Sequence, residues 1–442
     1  MKGSNKVSET STSDCLTEFA AVSGRIEKEK NITLHLARIV GKRWEYVAGK
    51  TRGPGLDSVA ERIKLGDSFG LIAYGWERLR PSEKEDLLRE VRFGLGLAEQ
   101  GASPTEDLGR EEILAYLRED DDEPLFERAD KVRKRFCGDE VHLRGIIEFS
   151  NYCGRNCFYC GLRKDHAGLG RYRMSPEEII ETARGAGRLG YKTVVLQSGE
   201  DDDYPVERVC EIVRRVKGEV DCAVTLSLGE KNCEEYRRLR EAGADRYVLK
   251  FETSNRRLFS MLRPGESFEN RLRCLRDLRD LGFQVGSGWM VGLPGQTDED
   301  LAEDVLLAKR FDFDMIGIGP FIPHPGTPLR NSAGGTIGRV LKLMAITRIA
   351  VKNAHMPATT ATGSIDPQGR QKALRCGANV IMPNLTPQKY RKLYEIYPNK
   401  ICVTERPEDC GVCVRSMVHA CGRGIGTGYG HSLKKESGVR ES

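Results

Sequence analysis

From about residue 140 the chain keeps one rhythm, and that rhythm limits the possible folds more than any other feature. Short β-branched runs occur at 144–150 (RGIIEFS), 192–198 (KTVVLQS), 222–228 (CAVTLSL), 246–252 (RYVLKFE), 284–290 (QVGSGWM), 313–319 (FDMIGIG), 356–360 (MPATT) and 379–383 (NVIMP). Helix-length amphipathic stretches lie between them, for example 177–187 and 336–351. Strands separated by helices do not pair as hairpins; they pair in parallel, with each helix crossing back over the sheet. Eight such units in about 240 residues predict a closed (β/α)8 barrel of the TIM type, with an open doubly wound sheet as the alternative. Thr297, with Asp300 three residues later, predicts the capped start of one crossover helix.

Other stretches flank the barrel, which is assigned to 141–385. Residues 1–28 are rich in Ser, Thr, Lys and Glu and read as a disordered N-terminus. Residues 29–103 read as a small α+β appendage without an assignable role, with strands at 32–40, 44–49 and 69–76 and a helix near 82–98. Residues 104–140 form a helical lead-in. A C-terminal segment, 386–425, carries a second group of cysteines, and 426–442 reads as a flexible tail.

Charge is nearly balanced, with 70 Lys+Arg against 65 Asp+Glu in 442 residues, so bulk charge gives no case for nucleic-acid binding. No apolar run is long enough to span a membrane, and the polar N-terminus has no secretory apolar segment, which together place the protein in the cytoplasm. There the 14 cysteines are expected as thiols or metal ligands rather than disulfides.

Three of them, Cys153, Cys157 and Cys160, form a C-x3-C-x2-C pattern just past the first strand, at the mouth end of the barrel where active sites of this fold are built. Zinc sites and complete iron–sulfur sites take four protein ligands. The next cysteine is Cys210, so the fourth position is open to a small chelating molecule; a structural zinc or electron-transfer site is the alternative. This spacing, with the aromatic Tyr159 before the last cysteine, resembles the radical SAM superfamily. The resemblance implies a (β/α)8 radical SAM barrel, a [4Fe–4S] cluster and S-adenosylmethionine (SAM) as the fourth ligand. It also implies that Ser198, Gly199 and Glu200, in SGED at the end of strand two, meet the SAM amino group. Glu252 closes strand four, where its carboxylate suits ribose hydroxyls. Arg271 is read as a clamp on the methionine carboxylate, with a surface salt bridge as the alternative.

Longer segments, among them 147–163, 194–201, 314–329 (DMIGIGPFIPHPGTPL), 357–363 (PATTATG) and 375–384, resemble the HydE family of [FeFe]-hydrogenase maturases, whose relatives include biotin synthase and methylornithine synthase. The resemblance spans roughly residues 105–425. It implies a small organometallic substrate, an iron complex with cysteine, carbon monoxide and cyanide. The implied partners are the radical SAM tyrosine lyase HydG, the scaffold GTPase HydF and an electron donor such as ferredoxin. The rival readings are an amino-acid mutase of the methylornithine synthase kind and a non-catalytic iron–sulfur carrier. The chain departs from the family at Lys250-Phe251, where Arg-His is frequent, and in its extra N-terminal segment.

Below the cluster the strand ends are expected to line a cavity. Thr225, Lys250, Thr359 and Thr360 would be its polar members, Met315 and Met382 its soft surface, and Tyr394 and Tyr397 its far wall. Threonine hydroxyls and a lysine suit an anionic guest, particularly if the lysine has no partner charge. His324 lies in a proline-stiffened loop that either faces the site or is structural. Cys402, Cys410 and Cys413 resemble the auxiliary [2Fe–2S] or [4Fe–4S] site of some HydE proteins, with Cys421 as a candidate fourth ligand and zinc or free thiols as the alternatives. Cys137, Cys210, Cys222, Cys233, Cys274 and Cys376 are read as buried small hydrophobes.

Overall fold

The computed structural model describes residues 108–434 continuously, and before them 33–40, 43–48, 61–64, 69–74 and residues 79, 84, 87 and 88. The expected disordered segment 1–28 and residues 435–442 lie outside the described residues. The chain divides into two compact units, Met1–Asp107 and Leu108–Ser442.

In the first unit, β1 (Thr33–Val40), β2 (Arg43–Ala48), β3 (Glu61–Lys64) and β4 (Phe69–Tyr74) form an antiparallel sheet in the order β2-β1-β4-β3. Leu36 pairs with Leu71 across β1 and β4, and both are fully buried. The sequence signals three of these strands. The fourth, ERIK, is short and mostly charged, and carries too little apolar alternation to be read as a strand.

The second unit is a closed parallel barrel. Its strands β6 (Gly145–Ser150), β7 (Thr193–Ser198), β8 (Ala223–Ser227), β9 (Arg246–Val248), β10 (Gln284–Val291) and β11 (Met315–Pro320) pair in chain order. The last two turns of the ring are made by short bridges: Met315 to His355, Pro357 to Val380, and Asn384 back to Ile146. Ile146 N donates to Pro383 O at 2.9 Å and Leu385 N to Ile146 O at 2.8 Å, which closes the circle. The run at 356–360, expected as a full strand, is cut short for two reasons. Pro357 has no N–H to give to a ladder, and Thr359 already caps the helix Thr360–Ile365.

Outward-facing Val194, Leu196, Val224, Leu226, Ile316 and Ile318 pack under helix residues such as Ile179, Val213, Val305 and Leu343, all buried. Each such side chain stabilises the fold by about 1.5–3 kcal/mol. Helix starts follow local chemistry. Ser175 Oγ accepts from Glu178 N at 3.2 Å while Glu178 Oε2 accepts from Ser175 N at 2.9 Å, with Pro176 at the first position. Thr297 and Asp300 make the same reciprocal box, as their spacing predicts.

At the base of the barrel, β5 (Glu140–Leu143) pairs in parallel with β12 (Val380–Ile381) and β13 (Gly424–Ile425). Residues 426–434, read from the sequence as the start of a flexible tail, are instead strapped across this end. Tyr429 O accepts from Arg246 Nη2 at 2.7 Å and from Thr193 Oγ1 at 2.8 Å, and Ser432 N donates to Gln284 Oε1 at 2.9 Å. Buried donors of the barrel floor need these acceptors, which holds a polar segment in place. Among the described residues no helix is long and apolar enough to cross a membrane.

Candidate active site

At the strand C-termini lies a cavity of about 440 Å³. Cys153, Cys157 and Cys160 all line it, on the loop that leaves β6. That loop is seated by the end of β7: Gly199 N donates to Ser150 O at 3.1 Å and Gly154 N to Glu200 O at 2.8 Å. The fit leaves no room for a side chain at Gly199, where a Cβ would stand 2.1 Å from Tyr152 O and 2.8 Å from Cys153 Cβ. Ser198 Oγ turns back to Gly199 O at 2.7 Å. Burial raises all three thiols, Cys157 to about 11, so iron binding there would release protons. Three sulfur donors on one short loop suit an iron–sulfur cluster. A cube offers each thiolate its own iron, so the sulfurs need not converge on a point; among the described residues no three His, Cys, Asp or Glu side chains do.

Around the triad stands an array of paired charges. Arg155 donates to Glu200 at 2.9 Å, and Arg263 donates to Tyr159 Oη at 2.6 Å while pairing with Glu266. Arg271 donates to Glu230 at 2.7 Å, to the Lys250 carbonyl and to Glu266 at 3.4 Å. Arg271 is therefore a buried ion-pair residue lining the cavity, not a surface salt bridge. Arg155, Arg263, Glu230 and Glu266 were not legible as site residues. The one local signal was the second Gly-Glu, Gly229-Glu230, closing strand three as Gly199-Glu200 closes strand two. Gly229 has φ +78°, and a Cβ there would meet Glu200 Cγ at 2.1 Å.

Glu252 sits in the left-handed region, φ +67°, which costs a non-glycine residue about 1–2 kcal/mol. It is held there by backbone bonds to Gly288 O at 3.0 Å and from Met290 N at 3.1 Å. Its carboxylate lies 3.2 Å from Lys250 Nζ. This corrects the expectation of a lysine without a partner charge: the left-handed turn at Glu252, just past the strand, goes with a carboxylate beside the Lys250 ammonium.

Deeper in, the cavity is lined by Thr225, Thr359, Thr360, Met315, Met382, Tyr394 and Tyr397. Among the described residues Thr225 Oγ1 is buried without a hydrogen-bond partner. Thr359 Oγ1 accepts from Thr362 N at 3.2 Å, so part of its capacity is spent as a helix cap. Arg144 donates to Met315 Sδ at 2.8 Å, and Gln197 to Tyr394 Oη at 3.1 Å. Buried Lys400 pairs with buried Glu148 at the wall. His324 stands behind the triad loop rather than in the cavity: a Cβ on Gly161 would lie 2.8 Å from its ring.

The second cysteine group is only partly gathered. Cys402, at φ +60°, and buried Cys410 line a separate small cavity of about 30 Å³, whereas Cys413 is exposed and Cys421 half-buried. The interaction between the two neighbouring thiols holds Cys402 below the usual thiol range and pushes Cys410 up. Replacing Cys402, Cys410 and Cys413 together by serine is expected to lower bound iron while leaving SAM cleavage within about threefold of the parent, since none of the three lines the main cavity. Iron analysis and chromatography of 5′-deoxyadenosine check this; loss of cleavage in a folded variant that keeps its first cluster would contradict it. Of the scattered cysteines, Cys137, Cys210, Cys222, Cys274 and Cys376 are buried as expected, but Cys233 is half-buried at the first turn of a helix.

Comparison with known proteins places this arrangement. The Radical SAM superfamily pattern is matched over residues 147–308. The [FeFe] hydrogenase maturase subunit HydE of Thermotoga maritima is 56% identical over 308 residues, 70% of this chain and 88% of that protein. The chain belongs to the radical SAM superfamily and, within it, to the HydE family. It is an enzyme of a class that works with a [4Fe–4S] cluster and SAM. The 3-methylornithine synthase of Methanosarcina acetivorans is 32% identical over 292 residues, 66% of this chain and 82% of that protein. A crystal structure of methylornithine synthase has a TM-score of 0.65 at 27% identity, covering 72% of this radical SAM chain and 94% of that one.

Proposed function

We propose that this enzyme acts in assembly of the [FeFe]-hydrogenase di-iron site, on an organometallic iron precursor bearing cysteine, carbon monoxide and cyanide. The observation that carries this reading is the 56% identity to the Thermotoga HydE across nearly all of that protein. Cys153, Cys157 and Cys160 would hold the cluster, and Ser198, Gly199 and Glu200 would meet the amino group of SAM. Bound together, cluster and SAM would supply a 5′-deoxyadenosyl radical, the cluster giving one electron to SAM and methionine leaving. The chain's own residues bind, orient and exclude water. Four cations (Arg155, Lys250, Arg263, Arg271) and two carboxylates (Glu200, Glu252) line the mouth and offer both signs, while the buried side chains of Glu230 and Glu266 pair with the arginines behind them. That suits a ligand carrying an ammonium and a carboxylate. Glu252 would take the ribose hydroxyls. Thr225, Thr359, Thr360 and the two methionines would surround the substrate, Thr225 with its free hydroxyl and the thioethers with soft sulfur next to iron. HydG, HydF and a ferredoxin-like donor are the proposed partners, and Cys402, Cys410 and Cys413 the proposed auxiliary site.

Expression in a strain lacking its own maturase of this type tests the reading. Restored hydrogenase activity supports it; formation of methylornithine from lysine without hydrogenase activity would favour the mutase reading, for which the shared fold and 32% identity speak. In the same assay Lys250→Met is expected to lower hydrogenase activation. It also leaves Glu252 without its cation, and because Lys250 is 30% exposed the loss of SAM binding is about 1 kcal/mol, roughly fivefold in Kd, rather than the larger cost of a fully buried pair. Unchanged SAM affinity and unchanged activation in this variant would rule out a role for Lys250.

A further inference from the structure

The corner that carries Glu252 is braced from behind by a group outside the cavity. Asp304, on the helix Asp298–Phe311, is fully buried, and no cation pairs with it among the described residues. Its Oδ1 accepts from Ser254 N at 2.5 Å, and its Oδ2 lies 3.5 Å from Gln296 Nε2. Gln296 in turn accepts from Gly292 N at 2.9 Å and Leu293 N at 3.2 Å, and donates to Met290 O at 3.0 Å. One buried acid thus touches both segments that meet at Glu252: the corner 252–254 and the loop 290–296. The two segments are joined directly by the bond from Met290 N to Glu252 O at 3.1 Å. Asn255 adds a second tie to the same helix, donating to Asp300 Oδ1 at 2.8 Å.

A left-handed glutamate persists only where its surroundings over-determine it. An acid with no counter-ion is a costly way to fill a core position, and a leucine would pack there more cheaply. Burial holds the Asp304 carboxyl well above the usual range, and its two oxygens face the N–H donors of Ser254 and Gln296.

We infer that Asp304 is a positioning residue for SAM: by fixing Ser254 and the 290–296 loop it holds Glu252 in its left-handed conformation, with the carboxylate presented to the ribose. This rests on the assignment of Glu252 to the ribose hydroxyls made above.

The test uses the reconstituted full chain, with SAM and its 2′,3′-dideoxyribose analogue as probes in calorimetric titrations, and iron content measured alongside. Asp304→Ala is expected to raise the Kd for SAM about tenfold with iron content unchanged, the loss of one well-placed buried hydrogen bond. Asp304→Asn keeps the acceptor for Ser254 N and should stay within about twofold of the parent. The double variant Asp304→Ala/Glu252→Gln should bind SAM no worse than Glu252→Gln alone, and the dideoxy analogue should not distinguish any of these proteins from the parent. A crystal structure of Asp304→Ala should show Glu252 out of the left-handed region. Parent-like SAM affinity in Asp304→Ala, or additive losses in the double variant, would overturn the inference. If Glu252→Gln binds SAM as the parent does, the ribose assignment falls, and the Glu252 conformation in the Asp304→Ala crystal decides the bracing by itself. Should Asp304→Ala not fold, hydrogen exchange at the Ser254 amide of the parent decides: core-like protection supports the brace, and exchange at loop rates overturns it.

Discussion

Cys157→Ser is expected to abolish SAM cleavage, with 5′-deoxyadenosine falling by at least about a hundredfold. Cys157 is the most deeply buried of the three thiols, at 7% exposure, and the loop around it is bonded into the barrel, so no neighbouring cysteine can move in to replace it. Cys210 is a buried residue of the helix Val206–Glu219 and does not line the cavity. A serine hydroxyl is a hard donor that stays protonated, a poor exchange for a thiolate on iron. Anaerobic reconstitution followed by iron and sulfide analysis should show the cluster lost or much depleted. Deoxyadenosine release at the parent rate would mean that the triad is not the cluster site.

Gly199→Ala is expected to be nearly as damaging although it removes no ligand. Its Cβ would meet Tyr152 O at 2.1 Å, a backbone atom that can yield only by moving the triad loop. Overpacking of this kind costs about 1–3 kcal/mol, and here the strain falls directly on Cys153. Lower cluster retention and a fall in melting temperature of several degrees should follow, roughly 2–4 °C per kcal/mol in a unit of this size. Gly218→Ala is the control: it lies in the helix Val206–Glu219 with no atom of the described residues within 4 Å of the added carbon. There the substitution should stabilise by about 0.5–1 kcal/mol. If both variants behave alike, the close seating of the triad loop against β7 is not what holds the cluster.

Legibility from sequence followed the range of the interactions involved. The barrel could be read because each strand declares itself locally, through a β-branched run long enough to cross the core. It failed at 356–360, where Pro357 and the cap at Thr359 override a run of the right composition. The triad could be read because its ligands lie within one short loop. The ion-pair array could not, because Arg263, Glu266 and Arg271 meet Glu200 and Glu230 only after strands two to five are side by side. Lys250 is a different kind of failure: its partner Glu252 is only two residues away, but the two meet through a left-handed turn past the strand end that no local pattern announces. The strap at 426–434 has no pattern of its own; its order comes from buried donors such as Arg246, which the sequence does not reveal as buried.

The central claim is that three cysteines leave one iron for SAM. Pulsed ENDOR on the reduced cluster, with SAM labelled with ¹⁵N in the methionine amino group, tests it most directly. The account predicts an EPR signal that changes on adding SAM and a resolved ¹⁵N hyperfine coupling that Cys157→Ser abolishes. A reduced cluster whose spectrum ignores SAM and shows no ¹⁵N coupling would contradict it, and would mean that a group of the protein itself fills the fourth position.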